Sequence, residues 1–259
     1  MLDDSAVHVW LAFETLLDDP ACAHRFTALM SADERERGQR LRLEPARRLH
    51  LLARGLQREV LSSYLPGTTP GELRFVSGAS GRPALAPPFD AEGLVFNLAH
   101  TRGLAVLAVA RGGQLGIDVE IYDKKVPLAV ARRYFSPGEA EALDALPADA
   151  RPRRFLRLWT LKESYLKAVG TGIVGGLESM TFRIDDAGAC RFERADDPQA
   201  ARWSFSQVEV GKHVLALARL PARESRGGAN IEWNQFGAAT GRVALDIRSL
   251  LGEEQRAEP

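Results

Sequence analysis

Cysteine is nearly absent from this chain: there are two in 259 residues, Cys22 and Cys190. They lie far apart and neither has a metal-type spacing, so no disulfide framework or cysteine-based zinc site is expected, and both read as reduced thiols. An excess of one charge is missing too. Lys plus Arg and Asp plus Glu each number 34, so no global field gathers nucleic acid or an anionic membrane, and any anion site must be local. Long hydrophobic runs are lacking as well. The longest, LAVLAVA from Leu104 to Ala110, is too short to span a bilayer, and the start MLDDSAVHVWLAF has neither the basic head nor the long apolar stretch of a secretion signal. No solenoid period or low-complexity tract is present. The expectation is a soluble cytoplasmic protein with no membrane partner. At 45% hydrophobic residues, it has enough apolar material for one large core or two smaller ones.

What is present is an alternation of strand and helix patterns. A strand is expected at Val7 to Phe13 and a helix from Ser31 to Leu65, opened by SADE as a capping box of Ser31 and Glu34. GTTPG breaks that helix. Short strands follow at Leu73 to Val76, Val95 to Leu98, Leu104 to Ala110 and Leu115 to Ile121, separated by Gly- and Pro-bearing turns. A helical block begins at Ser136, and strands return at Ser179 to Ile184, Trp203 to Val210 and His213 to Leu220. The order predicts an α+β protein of two similar halves: 1–113, then 114–220 with the candidate metal residues, with 221–259 as a peripheral or partly disordered tail that Trp233 and Phe236 could dock.

Four stretches hold the candidate chemistry. RLWTLKESYLKAVGTG, Arg157 to Gly172, reads as an amphipathic helix with Leu158, Leu161, Tyr165 and Val169 on its apolar stripe and glycines as its stop. Glu163 and Lys167 are i,i+4 neighbours there, with Lys162 beside them, and on this evidence alone the pair is an ordinary surface salt bridge. In QLGIDVEIYD the apolar Leu115, Ile117, Val119 and Ile121 alternate with Gly116, Asp118, Glu120 and Tyr122. A strand would therefore point Asp118 and Glu120 from one face, about 7 Å apart at Cα. Such a face is either solvated or holds a cation, and oxygen donors suit Mg²⁺ rather than Zn²⁺. FNLAHTRG puts Asn97 and His100 at the end of an apolar strand, and SGASGRPAL is a flexible turn that offers backbone N–H groups and the Arg82 guanidinium to an anion. The run ERERGQRLRLEPARRLHLLARGLQRE carries eight arginines, but interleaved glutamates and Leu49, Leu52 and Leu56 favour a packed amphipathic helix over a nucleic-acid surface.

Taken in order, GRP, FNLAHT, GIDVE and WTLKESYLKAVGTG resemble the motif series of the 4′-phosphopantetheinyl transferases, specifically the monomeric surfactin-synthetase-activating type, from about Ser31 to Leu220. The resemblance implies a pseudo-dimeric fold of two similar α+β halves with the site between them. It also implies Mg²⁺-dependent transfer of phosphopantetheine from coenzyme A to a serine of an acyl, peptidyl or aryl carrier protein, with release of adenosine 3′,5′-bisphosphate. By the same resemblance Asp118, Glu120 and Glu163 would hold Mg²⁺, and Asp118, Glu163 and Lys167 would be catalytic, with Glu163 helping to deprotonate the serine and Lys167 holding a diphosphate oxygen. Arg37, Arg54, Gly81, Arg82, Pro83, Asn97, His100, Lys162 and Lys167 would surround coenzyme A. Departures from the family pattern are Arg82 where many relatives carry Lys, which changes contact geometry, and Ala99 and Thr101 where serines are frequent. Glu139 falls in a family segment sometimes assigned to the site, yet it also completes a capping box with Ser136, and both readings stand. Two other functions remain for testing: a non-catalytic module binding coenzyme A or a carrier, and nucleic-acid binding through the Arg-rich helix. The first has little need of three carboxylates, and the second predicts steeply salt-dependent affinity.

Overall fold

The computed structural model describes residues 2–3, 6–78, 82–172, 176–184, 190–222, 230–237 and 243–244. The chain divides into two compact units, Met1–Gly112 with Ala229–Asp246, and Gly113–Gly228 with Ile247–Pro259. Each contains helices and strands around its own hydrophobic core, an α+β organisation.

The first unit opens with β1 (Ala6–Phe13), buried along nearly its whole length because both of its faces are covered. A 3₁₀ turn leads to α1 (Pro20–Leu29), which starts where the Asp19 side chain accepts from Ala21 N at 2.9 Å and Pro20 occupies the first turn. Next comes α2 (Ala32–Arg40), with the expected capping box of Ser31 and Glu34, and then α3 (Glu44–Ser62). The sequence predicts one helix from Ser31 to Leu65; the structure breaks it at residues 41–43. Pro45 explains the break: it has no N–H to give the residue 41 carbonyl in a continuing helix and its ring crowds that carbonyl, but it fits the first turn of a new helix. On α3, Leu52, Leu56 and Val60 join Phe26 in the core, each such side chain contributing roughly 1.5–3 kcal/mol by leaving water. A hairpin of β2 (Phe75–Ser77) and β3 (Pro83–Leu85) follows, then β4 (Leu94–Thr101) and β5 (Leu104–Arg111), paired antiparallel with Asn97 opposite Ala108 and His100 opposite Ala105.

In the second unit β6 (Gln114–Ile121) precedes a short α4 (Ala131–Tyr134), then α5 (Pro137–Asp144) and the long α6 (Arg151–Val169), which ends at Gly170 in the left-handed conformation. A hairpin of β7 (Met180–Ile184) and β8 (Cys190–Arg194) and the pair β9 (Ser204–Val210) and β10 (His213–Leu220) complete it. The sheet order is β6-β10-β9, with Asp118 opposite Ala216. Its polar-alternating face, which the sequence leaves solvated or metal-bound, is the face α6 covers. Gly116 makes that possible, because a Cβ there would lie 2.0 Å from the Ser164 carbonyl oxygen and 2.6 Å from Ala168 N. Any side chain at 116 would push the helix off the strand, and with it Glu163 and Lys167.

The chain then returns to the first unit. β11 (Asn230–Gln235) pairs parallel with β1, and β12 (Val243–Ala244) pairs with β11, giving the sheet order β12-β11-β1-β5-β4. Asn234 and Phe236 are buried in this unit, Phe236 against Phe26. Part of the stretch read from sequence as a peripheral tail is thus a structural strand.

Candidate active site

In the second unit, β6 supplies Asp118 and Glu120, and α6 supplies Glu163 and Lys167 one turn apart. Lys167 Nζ donates to Asp118 Oδ1 at 2.6 Å, and Lys124 Nζ to Glu120 Oε1 at 2.7 Å. The surface pair Glu163–Lys167 allowed by helix spacing is therefore not the contact that forms: Lys167 gives one of its donors to the strand carboxylate, and Glu163 Oε1 is buried without a partner. Asp118, 7% exposed, has the same deficiency at Oδ2. Buried carboxylate oxygens left without donors are costly. Burial accordingly raises the Asp118 carboxyl above its ordinary range against the pull of Lys167. Glu163 is pushed up to about 7, first by burial, then by the like charge of Asp118, with Lys167 opposing.

Among the described residues no group of three or more His, Cys, Asp and Glu side chains is arranged as a ready metal cage. The donor chemistry is nevertheless that of a hard cation: all ligands would be oxygens, and two are buried and unsatisfied. A proton serves as the substitute charge, and this has a measurable consequence. The folded protein holds the Glu163 proton more tightly than the unfolded chain, so this group's stabilisation is fully present below the ordinary value of 4.5 and is lost as pH rises from there through about 7. In chelator, melting curves from about pH 5 to about pH 8 should show a loss for the parent protein, at most about 3 kcal/mol, that Glu163→Gln does not share. Identical pH slopes for the two proteins would rule out the raised carboxyl.

Lys162 lies away from the place the resemblance implies. It was expected beside the phosphates, but it is fully buried: its ammonium donates to Leu177 O at 2.7 Å and Met180 O at 2.6 Å and pairs with Glu139 Oε2 at 2.8 Å. All three of its donors are used, so no charge is left for a ligand. Glu139, 4% exposed, also accepts from Ser136 N at 2.9 Å and from Phe182 N at 2.8 Å. Its role here is the capping box and this buried knot, which ties α5, α6 and β7 together.

The first unit holds a basic pocket of about 560 Å³ whose lining includes Arg37, His50, Arg54, Arg58, Phe75 and Pro83. Arg58, buried, is committed to Glu34 Oε2 at 2.8 Å and to the carbonyls of Pro70 and Leu73. Arg54 is less well provided. Its Nη1 donates to Gln57 Oε1 at 2.6 Å, but its Nε is buried without a partner, and burial weakens its hold on the proton. A desolvated guanidinium with a spare donor, beside an exposed Arg37, is suited to an anion. Of the other residues expected around a ligand, Arg82 Nη2 donates to Phe96 O at 3.1 Å, Asn97 is buried on β4 and His100 is exposed near the end of that strand. These three do not line the pocket, Pro83 does, and Gly81 lies outside the described residues. His50, Glu34 and Arg58 were not singled out as pocket residues from sequence. The only hints were Glu34 in the capping box and the density of arginines.

Comparison with known proteins points one way. Residues 114–218 match the 4′-phosphopantetheinyl transferase superfamily. The chain is 39% identical over 212 residues to 4′-phosphopantetheinyl transferase HetI of Nostoc sp. strain PCC 7120, covering 81% of this chain and 85% of that protein. It is 28% identical over 197 residues to 4′-phosphopantetheinyl transferase Sfp of Bacillus subtilis strain 168, covering 76% and 85%. Among solved structures, a holo-[acyl-carrier-protein] synthase of Thermotoga maritima superposes in part, with a TM-score of 0.36 and 23% identity over 44% of this chain and 66% of that one.

Proposed function

The chain belongs to the 4′-phosphopantetheinyl transferase superfamily, and from that premise we propose that it moves the 4′-phosphopantetheine arm of coenzyme A onto a serine hydroxyl of an apo carrier protein, acting as a cytoplasmic monomer. The observation that carries the reading is the pair of orphaned, buried carboxylate oxygens of Asp118 and Glu163 beside Lys167, a charge arrangement that a merely structural helix–strand contact does not need.

The serine oxygen bonds to the β-phosphorus of the diphosphate, and the bond from that phosphorus to the nucleotide-side oxygen breaks, so adenosine 3′,5′-bisphosphate leaves. Asp118, Glu120 and Glu163 would hold Mg²⁺, which when bound supplies charge neutralisation on the diphosphate. Glu163, a buried carboxylate whose Oε1 has no protein donor, takes the serine proton. Lys167 places its ammonium toward the diphosphate oxygens, and Asp118 fixes the direction of that ammonium through the 2.6 Å contact. Arg37 and Arg54 bind the nucleotide phosphates from the basic pocket, while the roles of Arg82 and His100 toward the nucleotide rest on the family resemblance, since neither lines that pocket.

The test is direct. The folded protein is incubated with coenzyme A, Mg²⁺ and a panel of apo acyl, peptidyl and aryl carriers, and intact masses are read. A gain of one phosphopantetheine on at least one carrier is expected. No gain on any carrier would overturn the proposal and return the chain to a binding role.

A further inference from the structure

The basic pocket contains one group that can change its charge. His50, near the start of α3, lies against α2 at a point where Gly38 leaves it room: a Cβ at 38 would sit 3.1 Å from His50 Cδ2. Its Nε2 is 2.9 Å from the Glu34 backbone carbonyl oxygen. A carbonyl only accepts, so Nε2 carries the hydrogen, and in the neutral ring Nδ1 is the lone-pair nitrogen. Among the described residues Nδ1 has no hydrogen-bond partner, and it is not one of the buried unpartnered atoms, so it meets solvent in the pocket that His50 lines.

The charges around the ring decide its state. From α2 come Glu34, Arg37 and, at the rim, Asp33; from α3 come Arg54 and Arg58; from the segment before β2 comes Arg74. Glu34 is occupied by Ser31 N and Arg58, and Arg74 donates to the carbonyls of Gly71, Glu72 and Leu73. Arg37 and Arg54 remain. Burial first, then Arg54 and Arg37, hold the imidazole below its ordinary range against the opposing pull of the Glu34 carbonyl and carboxylate. An anion that neutralises the two guanidiniums removes their share of this lowering and also offers an acceptor to Nδ1.

We propose that His50 is a proton-gated third donor of this pocket: a phosphate monoester dianion seated by Arg37 and Arg54 draws a proton onto Nδ1, which then donates to it. A monoester brings up to two charges and three acceptor oxygens, whereas a phosphorus inside a diphosphate bridge or diester carries a single charge. The pocket is thereby selective for a terminal phosphate. On the transferase reading, which this inference rests on, coenzyme A has one such group, the 3′-phosphate of its ribose.

The experiment is calorimetric titration of the whole protein, in chelator at about pH 8, with coenzyme A and with 3′-dephospho-coenzyme A, repeated in buffers of different ionisation enthalpy. At that pH the monoester is already a dianion, so proton uptake reports on the protein. Both ligands carry the diphosphate, so any proton taken up by Glu163 cancels in the comparison. Coenzyme A is expected to take up a fraction of a proton more than its dephospho form. His50→Gln should erase that difference and leave an affinity for coenzyme A roughly tenfold weaker, whose pH dependence from about 6 to about 8 matches that of the dephospho form. Equal proton uptake with the two ligands overturns the inference, and this comparison needs no variant. Retention of the difference in His50→Gln overturns it as well. If coenzyme A binds and is transferred to a carrier without extra uptake, the His50 assignment fails and the transferase reading stands. If coenzyme A does not bind in chelator at all, the His50 assignment fails, and the transferase reading falls only if the carrier assay with Mg²⁺ also shows no mass gain.

Discussion

Glu163→Gln is expected to lower the turnover of carrier modification by at least ~100-fold while leaving the protein folded. The amide is nearly isosteric with the carboxylate, and Glu163 Oε1 has no protein donor to lose, so no packing or hydrogen bond fails. What disappears is a charge and a base, both required only as the transition state forms. If Glu163 were one more solvated helix residue, the same change would cost at most about 1 kcal/mol of stability and leave turnover intact. Asp118→Asn should also be severely impaired, because it removes the partner that orients Lys167. Carrier modification measured over a Mg²⁺ titration separates the causes. Partial recovery at high Mg²⁺ marks a loss of metal affinity, and a flat low rate marks loss of the base. Near-parental turnover in a Glu163→Gln protein with unchanged circular dichroism would end the mechanism proposed above.

The second large effect is on stability. Lys162→Met should destabilise the protein by about 3–5 kcal/mol, because it leaves the Glu139 carboxylate buried without its counter-charge and strips two carbonyls of their donor. Glu139→Gln should cost a similar amount by stranding the ammonium. The double variant removes both charges together, so its cost should fall short of the sum of the singles by at least ~2 kcal/mol. Urea unfolding of the four proteins gives the cycle, and additive single losses would show that the two side chains act independently. The contrast along α6 is sharp: adjacent residues 162 and 163 are both ionisable and desolvated, but the first has every donor used and the second has an oxygen left over.

That contrast also shows what the amino-acid order could and could not reveal. GIDVE disclosed its strand and the common face of Asp118 and Glu120, because a period of two is local. It did not disclose that the face is covered, which depends on Gly116 and a helix some fifty positions on. The apolar stripe on α6 is visible in the sequence, but the placing of Lys162 is not, because the helix is buried on a second side by α5 and the turn before β7, where a lysine is held by a buried glutamate partner. Glu34 and Arg58 meet across 24 positions, a separation no short-range pattern encodes. The break between α2 and α3 is hidden by the long amphipathic run that continues on both sides of Pro45. β11 was missed because NIEWNQ is short and polar, and its fit is decided by pairing with β1 at the other end of the chain.

That pairing bears on how the protein is handled at the bench. A shortened form ending near Pro221 looks economical, since the motif-bearing stretch stops there. Such a truncation would remove the neighbour of β1 and turn an interior strand into an open edge, with a row of free backbone donors and acceptors flanked by Val7, Val9 and Leu11. The trimmed material would pair with its own kind, and any loss of activity would report precipitation instead of chemistry. An affinity tag spliced directly after Leu220 carries the same hazard, whereas a flexible extension placed beyond 259 leaves the parallel pair intact.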